Sequence, residues 1–243
     1  MKKGTNVAVV FAGGTGQRMN TRTRPKQFLE LHGKPVLVYT LEQFQRHELI
    51  DGIILVMLEN WIDYSKELIE HYHLNKVAAV VAGGCTGQMS IYQGLTEAEA
   101  LFDQDSVVLI HDGVRPLIDA ETITRAIDGV RAFGSAITVS PAIETITIMG
   151  EEGMVGEIIE RSKCQLAKAP QCFRLNEILK AHRAAQEEGK TDYIDSASLM
   201  RSYGYPLHIV EGTPENIKIT TPSDFYIFRA IVDARENSQI LGL

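Results

Sequence analysis

The chain has 243 residues, of which 44% are hydrophobic and 23% charged, with a formal net charge of -7. That length can bury a substantial core as one α/β unit, and the acidic balance argues against general nucleic-acid binding, which relies on a positive field. No apolar run approaches the roughly 18 residues of a membrane helix, and Met1-Lys2-Lys3 leads straight into an apolar strand, so neither a membrane span nor a signal peptide is expected.

Val7 to Phe11 is a short β-branched run cut off by Gly13-Gly14, the pattern of a fully buried strand. Gly13-Gly14-Thr15-Gly16 then forms a turn whose backbone amides can converge on an anion without a Cβ in the way. Arg18, Arg22, Arg24 and Lys26 follow within nine residues, a local cluster of cations in an acidic chain. This arrangement suits the phosphates of a nucleoside triphosphate. It is neither of two familiar glycine loops. Met19 stands where a dinucleotide fingerprint needs its third glycine, which disfavours a nicotinamide dehydrogenase, and no Gly-Lys-Ser/Thr occurs anywhere for a P-loop.

Lys34 to Gln45 has helical spacing, Gly52 to Leu58 reads as a buried strand, Trp61 to Tyr72 as a helix and Val77 to Val81 as a third strand. Gln88 to Phe102 is helical, Ser106 to Ile110 is a fourth strand, and Asp119 to Phe133 is helical again. Alternating strands and helices on short links imply a parallel sheet covered on both faces. Its ligand is expected beyond the strand C-termini. Three polar clusters, at residues 13–26, 83–90 and 111–116, fall at such ends.

From Ala136 to Ser162 the texture changes to alternating extended segments around a Gly150–Gly153 turn, which predicts a projecting hairpin. An isolated hairpin is marginal in water, so a homodimer packed through this arm is expected. Asn176 to Glu188 and Asp195 to Tyr203 read as helices and Leu207 to Glu211 as a strand. A last helix is predicted from Thr221, its N-cap, and Pro222 to about Arg235. No repeat or linker divides the chain, so residues 1–243 are expected to form one domain, with 138–162 as its dimerisation arm. Cys85, Cys164 and Cys172 have neither C-x-x-C nor metal spacing, which favours a reducing cytoplasm. His111 and His182 are expected to be hydrogen-bonded structural groups.

Ala12-Gly-Gly-Thr-Gly-Gln-Arg-Met19, Pro25-Lys-Gln-Phe28, His111-Asp-Gly-Val-Arg-Pro116, Ala169-Pro-Gln-Cys-Phe173 and Glu211-Gly with Asn216-Ile-Lys-Ile-Thr220 together resemble the sugar-phosphate cytidylyltransferases, over about residues 6 to 230. The resemblance implies a Rossmann-like three-layer sandwich, mostly parallel, with a protruding β-arm. It implies transfer of CMP from CTP to a polyol phosphate with release of pyrophosphate and help from Mg²⁺ or another divalent cation. Arg18, Lys26 and Lys218 match the catalytic cations. Ala12, Gly13, Gly14, Thr15 and Gly16 match the phosphate loop, and Gly83, Gly84 and Ser90 the cytosine- and ribose-reading segment. Asp112 matches an acidic residue near ribose and metal. Arg115, Thr145 and Arg161 match substrate contacts, the last two reaching into the neighbouring subunit.

The chain departs from the methylerythritol members of this family. Gly87 stands where they usually have arginine, Glu144 precedes Thr145 where they have Asp, and Ile194-Asp-Ser-Ala-Ser198 replaces their Thr-Asp-Glu-Ala-Ser. The nucleotide half is therefore expected intact and the acceptor half altered, favouring a pentitol phosphate such as ribitol 5-phosphate over methylerythritol phosphate. A catalytically silent nucleotide binder is the reading from another class, and retention of Arg18, Lys26 and Lys218 weighs against it.

Overall fold

The computed structural model describes residues 5–14 and 24–241. Strand β1 (Asn6–Ala12) lies inside the central sheet and is buried along almost its whole length. Its alternate side chains serve two cores: Ala8, Val10 and Ala12 face one layer and Val7 and Val9 the other. A small hairpin, β2 (Glu30–Leu31) and β3 (Lys34–Pro35), leads into α1 (Val36–Arg46). Then come β4 (Gly52–Met57), α2 (Ile62–His71), β5 (Val77–Ala82), α3 (Gly87–Leu101), β6 (Val107–Asp112) and α4 (Ala120–Phe133). These positions match the periodicity to within a few residues, because each helix buries one apolar stripe on the sheet.

The second half holds β7 (Ser135–Pro141), the hairpin β8 (Ile146–Met149) and β9 (Val155–Ile159), β10 (Gln165–Arg174), α5 (Leu175–Glu187), α6 (Ser196–Ser202), β11 (Ile209–Glu211) and α7 (Pro222–Leu241). The main sheet runs β11-β7-β10-β6-β1-β4-β5. Within it β10 alone is antiparallel, to both β6 and β7, while the other pairings are parallel. Side chains of α1, α2 and α4 pack on one face, and those of α3, α5 and α6 on the other. The result is the expected mostly parallel three-layer sandwich. A satellite cluster around Val36, Ile219 and Phe228 seats α7 beside α1.

Strand β10 has no counterpart in the sequence reading, because Pro170 at its middle removes a ladder donor. The structure accommodates the proline at a register shift between Ala167 and Gln171. Helix α7 also runs six residues past the expected Arg235. Its start is as expected, with Asp224 accepting from the Thr220 and Thr221 amides at 2.8 and 2.7 Å while its own amide faces Thr221 Oγ1 at 3.4 Å. The hairpin β8–β9 forms a separate two-stranded sheet, although residues 138–141 of the expected arm belong to β7 in the main sheet.

Candidate active site

Strand order reverses around β1: β4 and β5 lie on one side and β6 on the other. Such a switch point opens a crevice beyond the strand C-termini. Phe11 of β1 and Asp112 of β6 are register partners there, so the loops leaving these two strands diverge from one place. Gly113 follows at once, and a Cβ on it would sit 2.8 Å from that of Ala12. Only glycine lets the two loops leave this close together.

Asp112 is the hub. Its carboxylate accepts from Arg115 Nε at 2.8 Å and pairs with Lys218 Nζ at 2.6 Å. Burial alone would raise this carboxyl, but the two cations and their hydrogen bonds outweigh it and hold the group at about 2. Arg115 also donates to the Asn216 carbonyl at 2.9 Å, and Asn216 in turn donates to the Ala169 carbonyl at 2.7 Å. These bonds tie β6, β10 and the segment before α7 into one wall. Ile219 joins the same wall through its amide on the Val114 carbonyl, at 2.9 Å.

Lys26 donates to the Ile219 carbonyl at 2.9 Å, so its ammonium reaches the backbone one residue from Lys218. Two lysines nearly 200 positions apart in sequence thus converge on one segment. The adjacent Gln27, 1% exposed, donates to the Ala12 carbonyl at 2.7 Å and anchors the end of β1. On the other side of β1, Ser90 Oγ accepts from the Gly84 amide at 3.1 Å and donates to the Thr86 carbonyl at 2.9 Å. A Cβ on Gly83 would sit 2.9 Å from that oxygen and one on Gly13 3.4 Å from it. Gly13-Gly14, at the end of β1, and Gly83-Gly84, fastened by Ser90 of α3, therefore form two adjacent loops, with Ala12 as the last residue of β1. Thr15, Gly16, Arg18 and Arg22 lie outside the described residues.

A cleft of about 310 Å³ opens beside Asp112, Arg115 and Lys218 and runs between α3, α5 and α6. Several of its residues had no role in the sequence reading. Lys168 sends its ammonium towards the Pro214 and Asn216 carbonyls, at 3.3 and 3.4 Å, and burial together with the nearby Arg115 lowers its pKa. Gln171 donates to Asp195 at 2.9 Å and accepts from the Ala197 amide at 2.8 Å, bracing the N-terminus of α6. Gln171 lies inside the Ala169–Phe173 motif already singled out and Lys168 immediately precedes it, and that adjacency was the available signal. The expectation for His182 fails: it lines the cleft, yet among the described residues neither ring nitrogen has a hydrogen-bond partner. His111 is bonded through Nε2 to the Arg115 carbonyl at 3.1 Å, and its Nδ1 has no partner among them.

Thr145 and Arg161 do not line this cleft. Both are exposed at the base of the arm, where Arg161 donates to the Ile143 carbonyl at 3.0 Å. The site thus combines an acidic hub, the cations Lys26, Arg115, Lys168 and Lys218 and glycine loops at a switch point, chemistry suited to phosphates.

Together the fold and this site define a nucleotidyltransferase of the α/β class. The family model for 2-C-methyl-D-erythritol 4-phosphate cytidylyltransferase (IspD) matches residues 6–234, and the chain belongs to that cytidylyltransferase family. It is 53% identical to a ribitol-5-phosphate cytidylyltransferase of Streptococcus agalactiae over 98% of this chain and all of that one. A 2-C-methyl-D-erythritol 4-phosphate cytidylyltransferase of Clostridium acetobutylicum is 38% identical, over 91% of this chain and 94% of its own. Among solved structures, a 4-diphosphocytidyl-2C-methyl-D-erythritol synthase from Anaerococcus prevotii superposes with a TM-score of 0.80 at 27% identity, covering 95% of this chain and 96% of that one.

Proposed function

We propose that this cytidylyltransferase transfers CMP from CTP to ribitol 5-phosphate, giving CDP-ribitol and pyrophosphate. The observation that carries the chemistry is the convergence of Lys26 and Lys218 on one segment beside Asp112 and Arg115. The phosphate of the acceptor is already anionic near neutral pH, so no general base is required. One of its oxygens attacks the α-phosphorus of CTP in line, the bond from that phosphorus to the bridging oxygen breaks, and pyrophosphate leaves. Lys218, drawn from Asp112 to the α-phosphate, and Lys26, with Arg18, balance the charge that builds during transfer. The amides of Gly13 to Gly16 hold the phosphates, Gly83, Gly84 and Ser90 take the cytosine and ribose, and Arg115 steadies the acceptor.

Mg²⁺ needs few protein ligands when it rides on substrate phosphates. The ionised Asp112 carboxylate, a hard oxygen donor at the strand end, fits such a contact once Lys218 swings to the nucleotide. Bound there, the ion would neutralise triphosphate charge. Thr145 and Arg161, remote from the cleft of their own chain, are assigned to the cleft of a second subunit across the arm of residues 138–162. Residues 1–243 then act as one domain in a homodimer. Among the described residues no helix is long and apolar enough to cross a membrane. The three free cysteines favour the cytoplasm.

The choice of acceptor rests on the 53% relative and on Ile194 and Ser196, which replace hydroxyl and carboxylate groups of the methylerythritol pattern. Methylerythritol phosphate, the acceptor named in the family model and in the 38% relative, is the second reading. Pyrophosphate release with CTP and Mg²⁺ is measured in parallel with both acceptors. A preference for ribitol 5-phosphate of about a hundredfold, or about 2.7 kcal/mol, is expected. The reverse preference assigns methylerythritol phosphate, and no release with either points to another acceptor or to a silent nucleotide binder.

A further inference from the structure

Two buried side chains on the cleft wall carry polar atoms with no hydrogen-bond partner among the described residues. They are His182, 1% exposed and unpartnered at both ring nitrogens, and Ser196, 3% exposed and unpartnered at Oγ. Leaving buried donors and acceptors unpaired is costly, and a structure that does so inside a cavity holds them ready for a ligand. The Tyr92 ring stacks on His182 with centroids 5.8 Å apart and planes 28° from parallel. That contact fixes the imidazole by its face and leaves both nitrogens, which lie in the ring plane, available. Burial lowers the His182 pKa to about 4, so near neutral pH the ring is uncharged and offers one donor and one acceptor.

The same cleft is charged at its open end, where the Lys218 side chain is 40% exposed beside Asp112 and Arg115. Away from these cations the wall carries His182 and Ser196 with apolar Ile91 and Leu199, and the Asp195 carboxylate there is taken up by Gln171 and the Ser198 amide. A phosphate held at the charged end extends its carbon chain towards groups that each give and take one hydrogen bond. Hydroxyls match that demand, whereas a second anionic group would be buried beside the Asp195 carboxylate without a counter-charge. Resting on the acceptor reading above, we propose that His182 and Ser196 are specificity-determining residues that hydrogen-bond the hydroxyls at the end of the polyol far from the phosphate.

The test compares ribitol 5-phosphate with 1-deoxyribitol 5-phosphate, which lacks only the terminal hydroxyl, in the wild type, His182→Phe and Ser196→Ala. Phenylalanine preserves the stack on Tyr92. The wild type is expected to lose about a hundredfold in kcat/KM on the deoxy acceptor, as sites built to bond a hydroxyl do. Each variant should lose about tenfold or more on ribitol 5-phosphate through KM for the acceptor, with KM for CTP unchanged, and its further loss on the deoxy acceptor should shrink to about threefold or less. Equal deoxy penalties in wild type and variants, or a parallel rise in KM for CTP, overturn the proposal. If His182→Phe does not fold, Ser196→Ala, a change of one oxygen, decides by the same criteria. A wild type inactive on ribitol 5-phosphate overturns the acceptor reading and this proposal with it. Activity with additive penalties removes this proposal alone.

Discussion

Lys218 has two partners in prospect, Asp112 in the free protein and the α-phosphate in the reacting complex. A compact ammonium on a flexible stem suits such a switch better than a planar guanidinium held in a fork. Lys218→Ala is expected to cut kcat by roughly a hundred- to a thousandfold, the usual loss when one donor to a transition-state oxyanion is removed. Asp112 keeps Arg115 at 2.8 Å in that variant, so the thermal midpoint should change little. Lys26→Ala should behave likewise, giving up in the fold, among other contacts, the bond to the Ile219 carbonyl. Near-normal turnover in both variants, measured by pyrophosphate release, would sink the phosphate cradle.

Helix α3 positions the nucleotide side of the site. Thr86 caps it by accepting from the Met89 amide, and Ser90 in its first turn fastens the Gly83-Gly84 loop. The helix presses close to the sheet at Gly94, where a Cβ would lie 2.6 Å from both Val9 and Val56. A larger residue there must push α3 outward, because neither neighbour is a flexible chain end. Gly94→Val is therefore expected to lower stability by about 2 kcal/mol and to raise KM for CTP as Ser90 and its loop shift. Chemical denaturation and initial rates check the two parts. A variant as stable as the wild type with an unchanged KM would show that α3 does not set the loop. Strand β10 plays the matching part on the side assigned to the acceptor, with Lys168 inside its register shift and Gln171 at the end of it.

Across the whole molecule, the arm leaves apolar side chains in water that a folded chain ordinarily covers. Met149 is 83% exposed, Ile158 65%, Met154 and Val155 64% each, and Ile148 51%. Apolar surface gathered in this way on a two-stranded hairpin calls for a partner. A dimer in sedimentation is expected, and Met149→Glu with Ile158→Glu should shift it to monomer and lower activity, since Thr145 and Arg161 would lose the neighbouring cleft. A wild-type monomer with full activity would mean that neither residue acts across an interface. The net charge of -7 adds to the case for a local site. Anionic substrates meet a local cluster of cations where Lys26, Arg115, Lys168 and Lys218 gather.

By itself the sequence determined the alternating strands and helices, since β1, β4 and β6 are apolar on both faces and the helices on one stripe, a local pattern that survives without knowledge of the partners. It also marked Asp112 and Arg115 through the polar turn that follows an apolar strand, while the resemblance supplied their roles and singled out Lys218. Only the tertiary structure decided that β10 crosses the sheet against its neighbours, because Pro170 hides the strand until a bulge absorbs it. Only the tertiary structure left His182 and Ser196 unpartnered on one cleft wall. Their 14-residue separation carries no period, and whether a buried polar atom finds a partner depends on every element packed around it.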